Sequence, residues 1–203
     1  MRAWALLLFA MATSLAADLG SKTWAFDSVA HRPVLFERHV MIANPRYSPV
    51  PGHDPKIVIP GVLDFRLVLN RGAVFGVGAN QRAFFFWFTS LAFAGALFFF
   101  ARRTHALEPR LHIALGLAIG GGIGNLYDRV VFAAVRDFIH LLPGQFLPAG
   151  KSWPGGNTDL APWVFNIADL ALLVGMLWIV AELRMRRKAA AASQQSAAVF
   201  AEA

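Results

Sequence analysis

The sequence predicts a membrane-embedded, all-α protein: a bundle of four transmembrane helices with a small extramembrane β-sheet. Hydrophobic residues make up 57% of the 203 residues and the mean hydropathy is +0.50, which is too apolar for an ordinary soluble domain. The 18 Phe and 6 Trp residues are typical of side chains that face lipid and its interfaces. Long apolar segments alternate along the chain with polar loops rich in proline and glycine.

The charge of the chain is best explained by membrane topology. The formal net charge is +7, but the basic residues flank apolar segments instead of forming one exposed stripe, so we expect no nucleic-acid partner. The chain contains no cysteine, which excludes disulfides, thiol nucleophiles and thiolate metal sites.

Four apolar segments are predicted to be the transmembrane helices, at about residues 4–26, 83–101, 111–132 and 163–181. The first segment also resembles a cleavable signal, since residues 14–16 match a cleavage site. Its helical pattern continues to Phe26, however, which is long enough to span a bilayer. In the third segment Gly116, Gly120 and Gly124 share one face, and we attribute them to close helix packing.

The basic residues predict the orientation of the bundle. If four helices span, the loop 102–110, the cluster 184–188 and Arg2 lie on one side. By the positive-inside rule that side is cytoplasmic, with both termini. The regions 27–81 and 133–162 are then outside.

The first outer region is where a sheet is expected, because residues 62–75 have partial strand character. The sequence shows no internal repeat and no second domain. We expect residues 1–188 to form a single membrane-embedded domain. Residues 189–203, rich in Ala, Ser and Gln, are predicted to be a disordered cytoplasmic tail.

Amides and carboxylates interrupt the third and fourth apolar segments. Asn125 and Asp128 are three residues apart, as are Asn166 and Asp169, so each pair shares a helix face near the outer end of its helix. Asp137 follows the third helix, where the chain could fold back over the helix ends. Ionisable groups are costly inside a membrane, so these residues are candidates for function.

The carboxylates differ in their neighbours. Asp128 has Arg129 beside it as a charge partner, so we expect Asn125, Asp128 and Arg129 to hold the bundle together. Asp169 has no cation within four residues, which favours a chemical role. Two carboxylates close together in low dielectric do not both ionise easily, so one keeps a proton while the other activates water, as in aspartic proteases. Spacing alone leaves open whether Asp128 or Asp137 partners Asp169.

Other classes of function fit the sequence pattern less well. A non-enzymatic four-helix protein, such as a small proton-coupled transporter, would use the same carboxylates as a relay, but a relay spreads them across the bilayer. The six histidines are scattered, without an HExxH motif, and no G-x-S-x-G motif is present. The sequence therefore predicts no metal site.

Five sequence blocks, taken in order, carry a resemblance to a known family. They are residues 18–22 (DLGSK), 70–76 (NRGAVFG), 121–129 (GGIGNLYDR), 135–139 (VRDFI) and 165–169 (FNIAD). Together they resemble the lipoprotein signal peptidases (signal peptidase II), which are bacterial membrane aspartyl proteases. The GNLYDR and FNIAD blocks are highly specific. With the four helices, the blocks cover most of the chain except the tail and the loops.

The resemblance implies which residues form the site. It makes Asp137 and Asp169 the catalytic pair and gives Asp128 a supporting role with Arg129. The other positions expected to line or support the site are Asp18, Asn70, Asn125 and Asn166. No metal or cofactor is implied.

The resemblance also implies the substrate and the location. The substrates are prolipoproteins whose cysteine already carries a diacylglyceryl group, and the signal peptide is cut just before that cysteine. The protein would lie among the lipids of the bacterial inner membrane, with its active site near the periplasmic face. A small periplasmic sheet and a surface helix would cover the site, and we expect a monomer.

The chain departs from the usual family pattern at a few positions. Leu19 stands where Gln is usual, Gly76 and Leu170 where Ser is usual, and Arg136 where Val is common. None of these changes replaces a carboxylate, so they bear on substrate fit more than on activity. The outer loops 27–60 and 140–162 look longer than usual.

Overall fold

The computed structural model describes residues 2–44, 46–72, 82–103, 109–153 and 156–202. Its elements in chain order are α1 (Arg2–Ser28), α2 (Arg38–Ala43), β1 (Lys56–Ile59), β2 (Leu63–Asn70), α3 (Arg82–Arg103), α4 (Pro109–Val131), β3 (Val135–Leu141), a short 3₁₀ turn (Pro148–Gly150), β4 (Val164–Phe165) and α5 (Ile167–Glu202). The long helices α1, α3, α4 and α5 contain 27, 22, 23 and 36 residues and overlap the four predicted segments.

Among the described residues one helix, Ala3–Ser28, is both long and apolar enough to cross a membrane. Glycines and polar residues interrupt α4, and these lower its apolar content. The crossing of a membrane by all four helices therefore stays a prediction.

Helix α4 packs along both α1 and α5, and its glycines make this possible. A Cβ atom at Gly120 would run into Met11 and Ser14 of α1. A Cβ atom at Gly121 would run into the backbone of Ala168 and Leu172 in α5. The interpretation of the α4 glycines as packing residues is confirmed, because small residues let helix backbones approach closely.

The predicted small sheet is present as four antiparallel strands in the order β1-β2-β3-β4. It rests on the end of α1, where Phe26 and Val29 pack with Leu67 of β2 and Phe138 of β3 in one apolar cluster. Six of the seven residues of β3 are buried, so the strand is covered on both faces. The prediction placed strand character only in residues 62–75, so it did not include the exposed strand β1 at Lys56–Ile59. It missed β3, of which both faces are buried, and β4, which is too short to show a pattern.

The ends of α5 differ from the predicted fourth helix. The helix begins at Ile167 and not near residue 163, because residues 164–165 are paired with β3 as a strand. It continues to Glu202, through the segment that we expected to be a disordered tail. Alanine, arginine, lysine and glutamine favour a helix, which accounts for the continuation.

The close contact between α4 and α5 predicts a large effect of one methyl group. Gly121→Ala should lower the melting temperature in detergent, because the new Cβ meets backbone atoms that move only if the helices separate. Overpacking of this kind costs about 1–3 kcal/mol. Gly20→Ala in α1 is the matched control, since nothing lies within 4 Å of a Cβ built there. Its melting temperature should stay the same or rise. Equal melting temperatures for the two variants would contradict the packing described.

Candidate active site

Strand β3 and the first turn of α5 bring Asp137 and Asp169 into one region. Asp137 is 1% exposed and lies near the middle of β3, opposite Val68 of β2. Asp169 lies in the first turn of α5. Strand β4 directly precedes α5 and pairs with β3, with Phe165 opposite Ile139. The short β4 strand thus fixes the helix start beside the strand that carries Asp137.

Asn166 joins the two aspartates. Its Nδ2 donates to Asp137 Oδ1 at 2.6 Å. Its backbone N–H donates to Asp169 Oδ2 at 3.1 Å, and its Oδ1 accepts a hydrogen bond from the Asp169 N–H at 3.0 Å. The reciprocal bonds between Asn166 and Asp169 have the pattern of a capping box at a helix N-terminus. One fully buried residue therefore fixes both carboxylates.

Asn125 of α4 contacts Asp169 from the other side. Its Nδ2 donates to Asp169 Oδ1 at 2.8 Å, so both carboxylate oxygens of Asp169 accept a hydrogen bond. Its Oδ1 accepts hydrogen bonds from Asn166 Nδ2 at 3.1 Å and from Lys22 Nζ at 3.0 Å. Negative charge is favoured at a helix N-terminus. Asp169 is therefore held at both oxygens at the start of α5.

The surroundings of Asp137 favour a proton. Burial, followed by the charge of Asp169, raises the pKa of Asp137 from 3.8 to about 8, although hydrogen bonds from Asn166 and Asn70 act in the opposite direction. At neutral pH this shift favours the protonated form of Asp137. One protonated and one charged carboxyl group is the arrangement with which aspartic proteases activate water.

A buried network of four charged residues adjoins the two aspartates. Lys22 Nζ lies 2.7 Å from Asp18 Oδ2 and 3.3 Å from Asp128 Oδ2. Arg136 donates to Asp128 Oδ1 from Nε at 3.1 Å and from Nη2 at 2.9 Å, and its backbone N–H donates to Oδ2 at 2.9 Å. The network contains two cations and two anions, which balances charge in a region of low dielectric.

The sequence predicted Arg129 as the charge partner of Asp128. In the structure, the cations in contact with Asp128 are Arg136 and Lys22. Adjacent residues of a helix do not face each other, so the predicted partner Arg129 acts on Asp128 through charge alone and less strongly than on Asp137 and Asp169. It donates to the backbone oxygens of Asn125 and Gly72, each at 3.2 Å. Its charge also interacts with Asp137 and Asp169, which places Arg129 beside the candidate catalytic pair.

Asp18 connects α1 to the same helix start. Its Oδ1 accepts the backbone N–H of Ala168 at 2.9 Å, while its Oδ2 binds Lys22. Asn70 lies at the end of β2 and bonds to Asp137. The remainder of that sequence block beyond Gly72 lies outside the described residues.

The structure brings all eight residues predicted for the site into one connected cluster: Asp18, Asn70, Asn125, Asp128, Arg129, Asp137, Asn166 and Asp169. Sequence reasoning missed Lys22 and Arg136 as members. Lys22 had a visible signal, since it is four residues after Asp18 on a helix. Arg136 had only its departure from the family pattern. In the described part of the chain, no three His, Cys, Asp or Glu side chains are grouped as metal ligands.

Comparison with known proteins gives a consistent result. The family described as Signal peptidase (SPase) II matches residues 10–185 of the chain. A lipoprotein signal peptidase of Methylorubrum extorquens is 30% identical over 177 residues, covering 85% of this chain and 82% of that protein. A lipoprotein signal peptidase of Syntrophus aciditrophicus is 31% identical over 140 residues, covering 67% of this chain and 78% of that protein.

A solved bacterial membrane enzyme has a similar fold, with a TM-score of 0.60 over 88% of this chain and 87% of that chain, at 22% identity. This likeness supports the combination of helices with a small antiparallel sheet. The resemblance inferred from the five sequence blocks is confirmed. Since the family match extends over most of its length, the chain belongs to the signal peptidase II family.

Proposed function

We propose that Asp137 and Asp169 are the catalytic pair of this chain, which, as a signal peptidase II, is a protease that removes signal peptides from prolipoproteins. The observation that carries the proposal is the position of Asn166. Its side-chain Nδ2 donates to Asp137 at 2.6 Å, and its backbone N–H donates to Asp169 at 3.1 Å. The two carboxyl groups therefore belong to one hydrogen-bonded unit. The matched relatives are named lipoprotein signal peptidases, which leaves the transporter alternative without support.

The two aspartates take different roles in hydrolysis. Asp169 acts as the general base: it takes a proton from a water molecule whose oxygen attacks the scissile carbonyl carbon. Asp137 carries the other proton and acts as the general acid, giving it to the leaving amine as the carbon–nitrogen bond breaks. Proton transfer between the two carboxyl groups then restores the starting state. Arg129 keeps a positive charge beside them, where negative charge develops on the intermediate.

We infer further that cleavage occurs before a cysteine that carries a diacylglyceryl group. We also infer that residues 1–188 form one monomeric domain with four helices across the inner membrane. The termini then lie in the cytoplasm, and the sheet and site lie near the periplasmic face. Large apolar side chains exposed on the outer faces of the long helices support contact with lipid, among them Phe9, Leu91 and Leu177.

Replacing either aspartate tests the catalytic pair. Asp137→Asn and Asp169→Asn should each lower the cleavage rate by about 10²–10⁴-fold, the usual contribution of general acid–base catalysis. The assay follows the shortening of a diacylglyceryl-modified prolipoprotein by the purified protein in detergent. Asp64→Asn is the matched control, because Asp64 is also buried in the sheet but binds His140 at 2.9 Å. Its rate should stay near wild type. Full activity of Asp137→Asn or of Asp169→Asn would contradict the assignment of the catalytic pair.

The raised pKa of Asp137 predicts a pH dependence. The general acid must be protonated, so kcat/KM should fall as the pH rises through about 8. The stability of the fold should depend on the same proton. The stabilising contribution of protonated Asp137 is complete below its ordinary pKa of 3.8 and is lost as the pH rises through the folded-state pKa of about 8. Thermal unfolding across this range should therefore show a loss in the wild type that Asp137→Asn lacks. A rate that increases above pH 8 would contradict the role of Asp137.

The supporting role of Asp128 predicts a loss of stability. Asp128→Ala leaves Arg136 as an uncompensated buried cation, and breaking a buried pair costs about 3–5 kcal/mol. Its melting temperature should fall clearly below that of Asp137→Asn. The charge-balanced variant Asp128→Leu/Arg136→Met should recover much of the loss, since it removes both charges. If Asp128→Ala is stable but inactive while Asp137→Asn is active, then Asp128 is the second catalytic carboxylate.

A further inference from the structure

Lys22 is a fully buried cation that the hydrolysis described above does not use. Its ammonium group lies 2.7 Å from Asp18 Oδ2, 3.0 Å from Asn125 Oδ1 and 3.3 Å from Asp128 Oδ2. An ammonium group has three N–H donors, and here three oxygens surround it. Only Asn125 in this set binds a proposed catalytic aspartate.

The amide of Asn125 has one orientation that fits its neighbours. Its oxygen accepts from two donors, Lys22 Nζ and Asn166 Nδ2, and its nitrogen donates to Asp169 Oδ1. In the reversed orientation, the NH₂ group would face an ammonium and another NH₂, while the oxygen would face a carboxylate. The two facing donors and the facing acceptor therefore exclude the reversed amide. Of the two donors, the charged one makes the stronger hydrogen bond.

We propose that Lys22 is a positioning residue for peptide hydrolysis: its ammonium group fixes the Asn125 amide so that Nδ2 donates to Asp169. The proposal rests on the proposed function, because it takes Asp169 as the general base. Lys22 acts on Asp169 through Asn125, while its charge also acts on Asp137 against the raised pKa of that group. The hydrogen bond that it secures keeps Asp169 Oδ1 oriented towards the position where Asp169 takes a proton from water.

The other partners of Lys22 allow it to be removed without leaving an unpaired charge. Asp128 accepts three hydrogen bonds from Arg136, and its contact with Lys22 is the longest in the network. Asp18 depends on Lys22 for charge balance, but its bond to the Ala168 N–H needs only an oxygen acceptor. Asn at position 18 provides that acceptor. The double variant Asp18→Asn/Lys22→Met therefore removes one anion and one cation together.

The double variant should lower kcat by about 10–100-fold, the effect of losing a hydrogen bond to a charged group. KM should stay within about twofold, because substrate contacts are unchanged. A double-mutant cycle with Asn125→Leu separates positioning from a structural role. In the Asn125→Leu protein the amide is already absent, so the double variant should cause no further loss of kcat. If the two losses multiply, or if the double variant keeps the wild-type kcat, the proposal is wrong.

A second variant and a control make the result decisive. If Asp18→Asn/Lys22→Met does not fold, Asp18→Asn/Lys22→Gln keeps a neutral donor, and the same cycle applies with a smaller loss. The matched control is Arg110→Met/Glu182→Gln, which removes a 3.8 Å ion pair between α4 and α5 away from the site. Its kcat should match the wild type. Active Asp169→Asn would refute the proposed function itself. Inactive Asp169→Asn with a fully active Lys22 variant would refute only the role of Lys22.

Discussion

The first turn of α5 is the point on which the rest of the site depends. The first N–H groups of a helix have no partner within it, so other groups must satisfy them. Here Asp18 of α1 accepts the N–H of Ala168, and Asn166 exchanges bonds with Asp169. Asn125 of α4 and strand β4 complete the contacts. The capping of one helix thus joins two other helices and the sheet, and it places both proposed catalytic carboxylates.

The buried charged residues beside this helix start are better explained by the orientation that they give to polar groups than by a gain in stability. Replacing a buried ion pair with apolar residues is often neutral or stabilising, so such a pair is weak evidence for a stabilising role. In this chain Lys22 and Arg136 connect α1, α4 and β3 through bonds with fixed geometry. Apolar side chains would fill the same space without fixing the Asn125 amide. The network therefore specifies where polar groups point, which the proposed hydrolysis requires.

Much of the site could be predicted from the sequence, because its residues lie in short sequence blocks and some of them have helical spacing. The three-residue spacing of Asn166 and Asp169 is the spacing of a capping box, so local pattern and structure agree. The prediction missed the cation that hydrogen-bonds Asp128, and the reason is physical. Its partner Arg136 lies on a strand after a turn, where helical spacing has no meaning. Lys22 meets Asn125 across 103 residues, and no local pattern encodes such a contact.

The different roles proposed for the two aspartates follow from the elements that hold them. Asp137 lies on a strand buried on both faces, and burial raises its pKa to about 8. Asp169 lies where backbone and side-chain N–H groups converge on its oxygens, at the positive end of a helix dipole. Two identical side chains in identical surroundings would compete for one proton. A buried strand beside a helix N-terminus removes that symmetry and favours the proton on Asp137.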